Sequence, residues 1–159
     1  TGLIVTAKMM EVKKRELDHI ISVELPNVAK EIAEAREFGD LSENAEYSAA
    51  KEHQRNLNNT AGKLQEEIAK AQIFDPTTVN TTRVSFGTVT TMMNLQTNKE
   101  ETYTILGPWE SDPTNGIYSY KTQVAIAILN AKEGEELSFT INNIDRHLKV
   151  LSIKPYNFD

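Results

Sequence analysis

Cysteine is absent from the 159 residues, which excludes a disulfide scaffold, a thiol nucleophile and any zinc site with sulfur ligands. Histidine is scarce: His19, His53 and His147 are scattered and fall short of an imidazole metal cage. No apolar run approaches the roughly 20 residues of a membrane helix. No signal-peptide pattern of basic start, apolar middle and small-residue cleavage site is present either, so the default expectation is a soluble cytoplasmic protein with no membrane partner. Charge of one sign is also in short supply, 17 basic against 23 acidic side chains giving a net −6. That mild acidity argues against holding duplex nucleic acid mainly through phosphate neutralisation, although a local basic face fits within it. What is present, 39% hydrophobic and 25% charged residues, suffices for one ordinary domain or two small ones.

The texture changes near Asp75. Residues 7–74 are rich in Ala, Glu, Lys, Leu and Gln with the single proline Pro26, whereas residues 77–104 hold ten threonines among Val, Ile, Phe and Tyr. The first composition favours helix and the second strand. In the first half Leu17, Ile21, Leu25, Val28, Ile32 and Ala35 step by 4, 4, 3, 4 and 3, one stripe of an α-helix. A second stripe, Tyr47, Ala50, Gln54, Leu57, Ala61, Leu64, Ile68 and Ala71, alternates 3 and 4 like a coiled-coil seam. Between them Gly39 can end one helix and Asp40 or Ser42 can cap the next. The short connection makes the two helices antiparallel neighbours. Pro26 is expected to kink the first helix or split it, and helices of about 30 residues reach about 45 Å, long enough to project.

Beyond Asp75, strands are expected near 82–94, 101–106, 116–120, 137–142 and 147–153, separated by turn chemistry such as Gly107-Pro108, Asp112-Pro113 and Asn115-Gly116. Gln123–Ala131 fits either a short buried helix or another strand, since an apolar run of that length has no decisive period; Ala125, Ala127 and the start signal Thr122 favour helix. The fold class is therefore α + (α+β): a helical hairpin over residues 1–75, then a mostly antiparallel sheet packed on a short helix over 76–159.

Asp40 and Glu43 stand three apart at the turn of the hairpin. In the ordinary reading they form a capping box. In the functional reading two exposed carboxylates, with Glu46 nearby, share a divalent cation. Magnesium suits this, because it binds through one or two carboxylates, keeps several waters and is completed by phosphate oxygens from elsewhere. Such a site is half a site, bound weakly by the isolated chain. Arg36, Lys51 and Arg55 flank it, ordinarily as a solvated helix face pairing with Glu at i,i+4.

The string EAREFGDLSENAEYSAAKEHQ, Glu34 to Gln54, resembles the signature of the bacterial Gre transcript-cleavage factors of the A type. The likeness extends to KEIAEAR before it, KLQEEIAKAQIFDP after it, and RVSFGTVTTMMNL with ETYTILG in the second half. It implies a coiled-coil hairpin followed by a domain similar to FK506-binding proteins. It also implies a bacterial, cytoplasmic transcription elongation factor, with the family's DNA-binding label, that binds backtracked RNA polymerase through the secondary channel. The chain is then no enzyme itself. Asp40 and Glu43 match the two tip acids that help hold magnesium at the polymerase active centre, where the 3′ end of the nascent RNA is hydrolysed; paired metals stabilise both attacking and leaving oxygens. Arg36, Lys51 and Arg55 are expected to face nucleic acid, Ser42 and Asn44 to support the tip, and the factor to act as a monomer.

The likeness weakens at one segment. Where relatives usually show S-P-[LI]-A-R-A-[LI]-[LI]-G-K, this chain has Thr122, Gln123, Val124, Ala125, Ile126, Ala127, Ile128, Leu129, Asn130 and Ala131. Two other classes stand beside the cleavage factor: an inhibitory channel-binding paralogue with an altered tip, and a coiled-coil adaptor or prolyl isomerase acting through its second domain.

Overall fold

The computed structural model describes residues 2–37 and 44–159. By its contacts the chain divides into two units, one holding Met10–Ala71 with Gly2, the other holding Leu3–Met9 and Gln72–Asp159. The division differs from a single cut at residue 75 because Ile4–Val5 (β1) pairs in parallel with Gln72–Ile73 (β2), Ile4 opposite Gln72. Strands of two residues carry no readable alternation, which is why neither was expected from sequence. Long-range bonds hold β1 within the second unit. The Ile4 amide donates to the Tyr120 hydroxyl at 3.0 Å, and the Thr6 amide and hydroxyl both donate to Glu110 Oε2 at 3.2 Å. At Gly107 a Cβ would lie 2.2 Å from the Ile4 carbonyl oxygen, so only glycine permits this approach.

The first unit is a helical hairpin. Its first arm comprises Ala7–His19 (α1), a π-helical turn at Ile20–Glu24, and Leu25–Arg36 (α2); its second is Ala45–Lys70 (α3). The α3 stripe packs as the spacing predicts: Ala50, Ala61 and Leu64 are buried and the other stripe positions half-buried. The first arm departs from expectation at one residue. Ile21 is 44% exposed and Ile20 only 7%, and Ile20 packs with Ala61 and Leu64 against Leu17, Leu25 and Leu57. The inward positions therefore run Leu17, Ile20, Leu25, Val28, Ile32, Ala35, with a step of five across the π-turn. Pro26, in the first turn of α2, has no N–H to donate and crowds the carbonyl four residues back, so the preceding turn widens by one residue. The helix runs unbroken from Ala7 to Arg36, so the proline does not split the arm; the widened turn shifts the phase of the stripe before it.

The second unit is built on a five-stranded sheet of order β5-β4-β3-β7-β6, from Thr88–Asn94 (β3), Lys99–Leu106 (β4), Ile117–Ser119 (β5), Glu136–Ile141 (β6) and Ile144–Pro155 (β7). It is mixed: three pairings are antiparallel, while β4 and β5 run parallel. A bulge after Thr91 puts Leu151 of β7 outside the register, and Asn142 and Asn143, with φ of 53° and 64°, make the tight turn from β6 to β7. Gln123–Ile128 (α4) contributes Ala125 and Ile128, both fully buried, to a core shared with Val84, Met92, Ile105, Leu148 and Val150. The stretch 82–87, expected as strand, is instead a turn. Gly87 has a φ of 87°, the Ser85 amide donates to Thr88 Oγ1, and the Val84 backbone bonds to Asn130 and Ala131 rather than to a sheet neighbour.

In the unusual 122–131 segment the helix start and end are set by this chain's own residues. Thr122 Oγ1 accepts from the Ala125 amide as an N-cap, and Asn130 takes the left-handed conformation at φ 71° that Asn tolerates. Ile126 is 63% exposed.

Candidate functional site

The end of α2 and the start of α3 approach the turn from two sides, and Asn44 joins them. Its extended backbone precedes the helix, its Oδ1 accepts from the Tyr47 amide at 3.0 Å, and its Nδ2 donates to the Ala35 carbonyl at 2.7 Å. One side chain thus satisfies an orphan donor of α3 and an orphan acceptor of α2. This corrects the capping expectation: α3 starts at Ala45 under Asn44, so neither Asp40 nor Ser42 is its N-cap. An Asn placed three residues before an amide at a helix start was the signal available in the sequence, and the Asp-Leu-Ser-Glu string just before it obscured it. Asp40, Ser42 and Glu43, with Phe38 and Gly39, lie outside the described residues.

The three basic residues behave differently from one another. Arg36 places its guanidinium carbon 5.9 Å from the centre of the Tyr47 ring, a cation–π contact across the two arms. Lys51 is half-buried with Nζ 3.4 Å from Gln54 Oε1, and Arg55 pairs with Glu52 on its own helix, both side chains exposed. An exposed pair of that kind contributes little to stability. Arg36 alone is tied to the opposite arm.

The same end of the hairpin carries a groove of about 600 Å³, floored by Ala35, Ala49 and Ala50 and rimmed by Glu31, Glu34, Glu46 and His53. Of these, sequence reasoning singled out Glu46 and His53 only; Glu31 and Glu34 follow once Ala35 is known to be buried, since they share its side of α2. Small side chains at the seam open the space and glutamates give it a negative rim. No group of three or more His, Asp or Glu among the described residues could hold a metal ion. Glutamates along such a rim repel phosphate.

A hairpin of two long helical arms and a mixed sheet with one short buried helix define a factor of two units. Family models divide at the same place: the description "Transcription elongation factor, N-terminal" matches residues 3–73 and "Transcription elongation factor, GreA/GreB, C-term" matches residues 79–155. A relative named transcription elongation factor GreA from Treponema pallidum (strain Nichols) is 53% identical over 96% of this chain and 94% of its own length. Another of that name from Helicobacter pylori (strain 26695) is 41% identical over 87% of this chain and 84% of its own. Among solved structures, the GreA factor homolog 1 protein of Thermus thermophilus aligns over 97% of this chain and 99% of its own at 18% identity, with a TM-score of 0.44. The chain belongs to the GreA/GreB family of transcription elongation factors.

Among the described residues, no helix is long and apolar enough to cross a membrane.

Proposed function

We propose that this chain, acting as a monomer in the bacterial cytoplasm, binds backtracked RNA polymerase through its secondary channel and stimulates hydrolysis near the 3′ end of the nascent RNA. The observation that carries this reading is family membership across both units, combined with Asp40 and Glu43 in the short segment between Arg36 and Ala45. In this reading the hairpin delivers the two carboxylates, and the second unit docks on the polymerase.

The donor chemistry fits magnesium: two hard carboxylate oxygen donors at the turn, no cysteine in the chain, and no complete metal cluster among the described residues to compete. Magnesium shared with the polymerase supplies Lewis-acid stabilisation of the phosphoryl oxygens and a more acidic bound water. The chain's own part is positional. Asp40 and Glu43 present negative charge where the polymerase supplies the remaining ligands. Asn44 fixes the spacing of the two helix ends from which the turn departs. Arg36, held over Tyr47, offers a guanidinium to the RNA backbone, and Lys51 and Arg55 extend that basic side along α3.

The test uses stalled, backtracked polymerase carrying end-labelled RNA. Added chain is expected to shorten the transcript in a magnesium-dependent manner and restore extension when nucleotides follow. A chain that binds the complex and slows extension without shortening the RNA marks the inhibitory paralogue instead.

A further inference from the structure

The second unit contains a cavity of about 280 Å³ that the proposed function does not use, with the half-buried rings of Trp109, Tyr156 and Phe158 in its wall. Tyr156 and Phe158 meet edge to face, at 90° with centroids 5.0 Å apart, and Phe158 also stacks on Phe74 at 5.8 Å. Two carboxylates line the same space, Glu110 and Asp159. Glu110 is half-buried, and its oxygens are occupied by neutral donors: the Gly107 amide at 2.8 Å and the amide and hydroxyl of Thr6. The ion pairs found among the described residues involve other carboxylates. These bonds hold the Glu110 carboxylate in place at the cavity wall. The one basic lining residue, Lys8, is exposed.

Aromatic faces are negative at their centres, and rings grouped around a negative site select cations that shed water easily, quaternary ammonium and guanidinium groups above all. The space corresponds to about nine waters at roughly 30 Å³ each, enough for a compact cationic head with part of its stem. We propose that this cavity binds a weakly hydrated organic cation, its head against Tyr156, Phe158 and Trp109 and its charge balanced by Glu110 and Asp159. The inference concerns a separate site and stands or falls independently of transcript cleavage.

Trp109 is the only tryptophan in the chain, so its fluorescence reports on the cavity directly. The full chain is titrated at constant ionic strength with tetramethylammonium, with N-acetyl-arginine amide, and with tert-butyl alcohol as a neutral isostere. A saturable fluorescence change is expected from at least one cation and none from the alcohol. The preferred cation tells a free ammonium ligand from an arginine presented by a peptide. Tyr156→Leu is expected to weaken binding roughly five-fold through loss of one ring. Asp159→Asn, at an exposed position, weakens it in the same direction, and Lys8→Ala tightens it by removing a repelling charge. Equal responses to alcohol and cation, no saturable response to either cation, or a Lys8→Ala curve that moves to weaker binding would each overturn the assignment. The wild-type comparison of cation with alcohol decides the matter even where a variant fails to fold.

Discussion

Asn44 serves two helices with one side-chain amide, as acceptor for α3 and donor to α2. Replacing it by alanine removes both bonds and is expected to cost about 1–2 kcal/mol. Asn44→Asp keeps the cap on Tyr47 and loses only the donor to Ala35, so a urea melt followed by helical circular dichroism should rank wild type above Asn44→Asp above Asn44→Ala. Tyr103 makes a second prediction at this scale. Its ring is buried and stacked on Tyr118, and its hydroxyl donates to Glu101 Oε1 at 2.6 Å. Burial first, then the hydrogen bond to the Glu101 carboxylate, raises the phenol well above its ordinary value. The folded state thus holds a proton that the unfolded chain releases near pH 10. This contribution to stability is present in full below that pH and is lost as pH rises further. Tyr103 should ionise well above the ordinary phenol range, which an ultraviolet titration compared with that of Tyr103→Phe reads directly. Tyr103→Phe should remove its share of the alkaline loss while costing about 1 kcal/mol at neutral pH.

Among the elements, the π-turn matters most for how the sequence is read. The α3 stripe was legible because nothing interrupts it and Gly62 faces open space. The first arm was legible on both sides of Ile20–Glu24 but not through it, since a single-period template has no step of five. The spacing of apolar residues alone allowed Ile21, and only the widened turn before Pro26 selects Ile20. Two substitutions separate these assignments. Ile20→Ala should cost about 2–4 kcal/mol by opening space beside Ala61 and Leu64, whereas Ile21→Lys should stay within about 0.5 kcal/mol. Deleting Ile21 converts the step of five to four, so the shortened arm should remain folded with its seam intact. Deleting Asn58 from the regular α3 should disrupt the packing, a contrast visible in thermal melts of the two variants. In the sheet, the spacing of Val84, Phe86 and Thr88 resembled strand, but burial does not alternate there: Ser85 and Phe86 are both half-buried and Gly87 and Thr88 both buried. Gly87 and the Ser85–Thr88 turn break the ladder before it forms.

For the whole molecule, the order of hairpin then sheet was readable from composition and period, because each half buries its apolar residues by a different repeat. The parallel pair β1–β2 was not, since two-residue strands depend on long-range partners such as Tyr120 and Glu110 that no local pattern announces. The candidate site was legible in part. Arg36, Asn44, Lys51 and Arg55 could be named as candidates from sequence, but the contact of Arg36 with Tyr47 and the double role of Asn44 required the two arms side by side. The central claim is that the chain works by delivering the carboxylates of Asp40 and Glu43. It is tested most directly by transcript cleavage in backtracked polymerase with the Asp40→Ala/Glu43→Ala variant, measured beside wild type with polymerase binding as the control. The account predicts binding within about two-fold of wild type, as expected for a change away from the docking contacts. It also predicts a loss of stimulated cleavage of at least about a hundred-fold, the scale for removing groups that act in the transition state. Full cleavage stimulation by the double variant would contradict it.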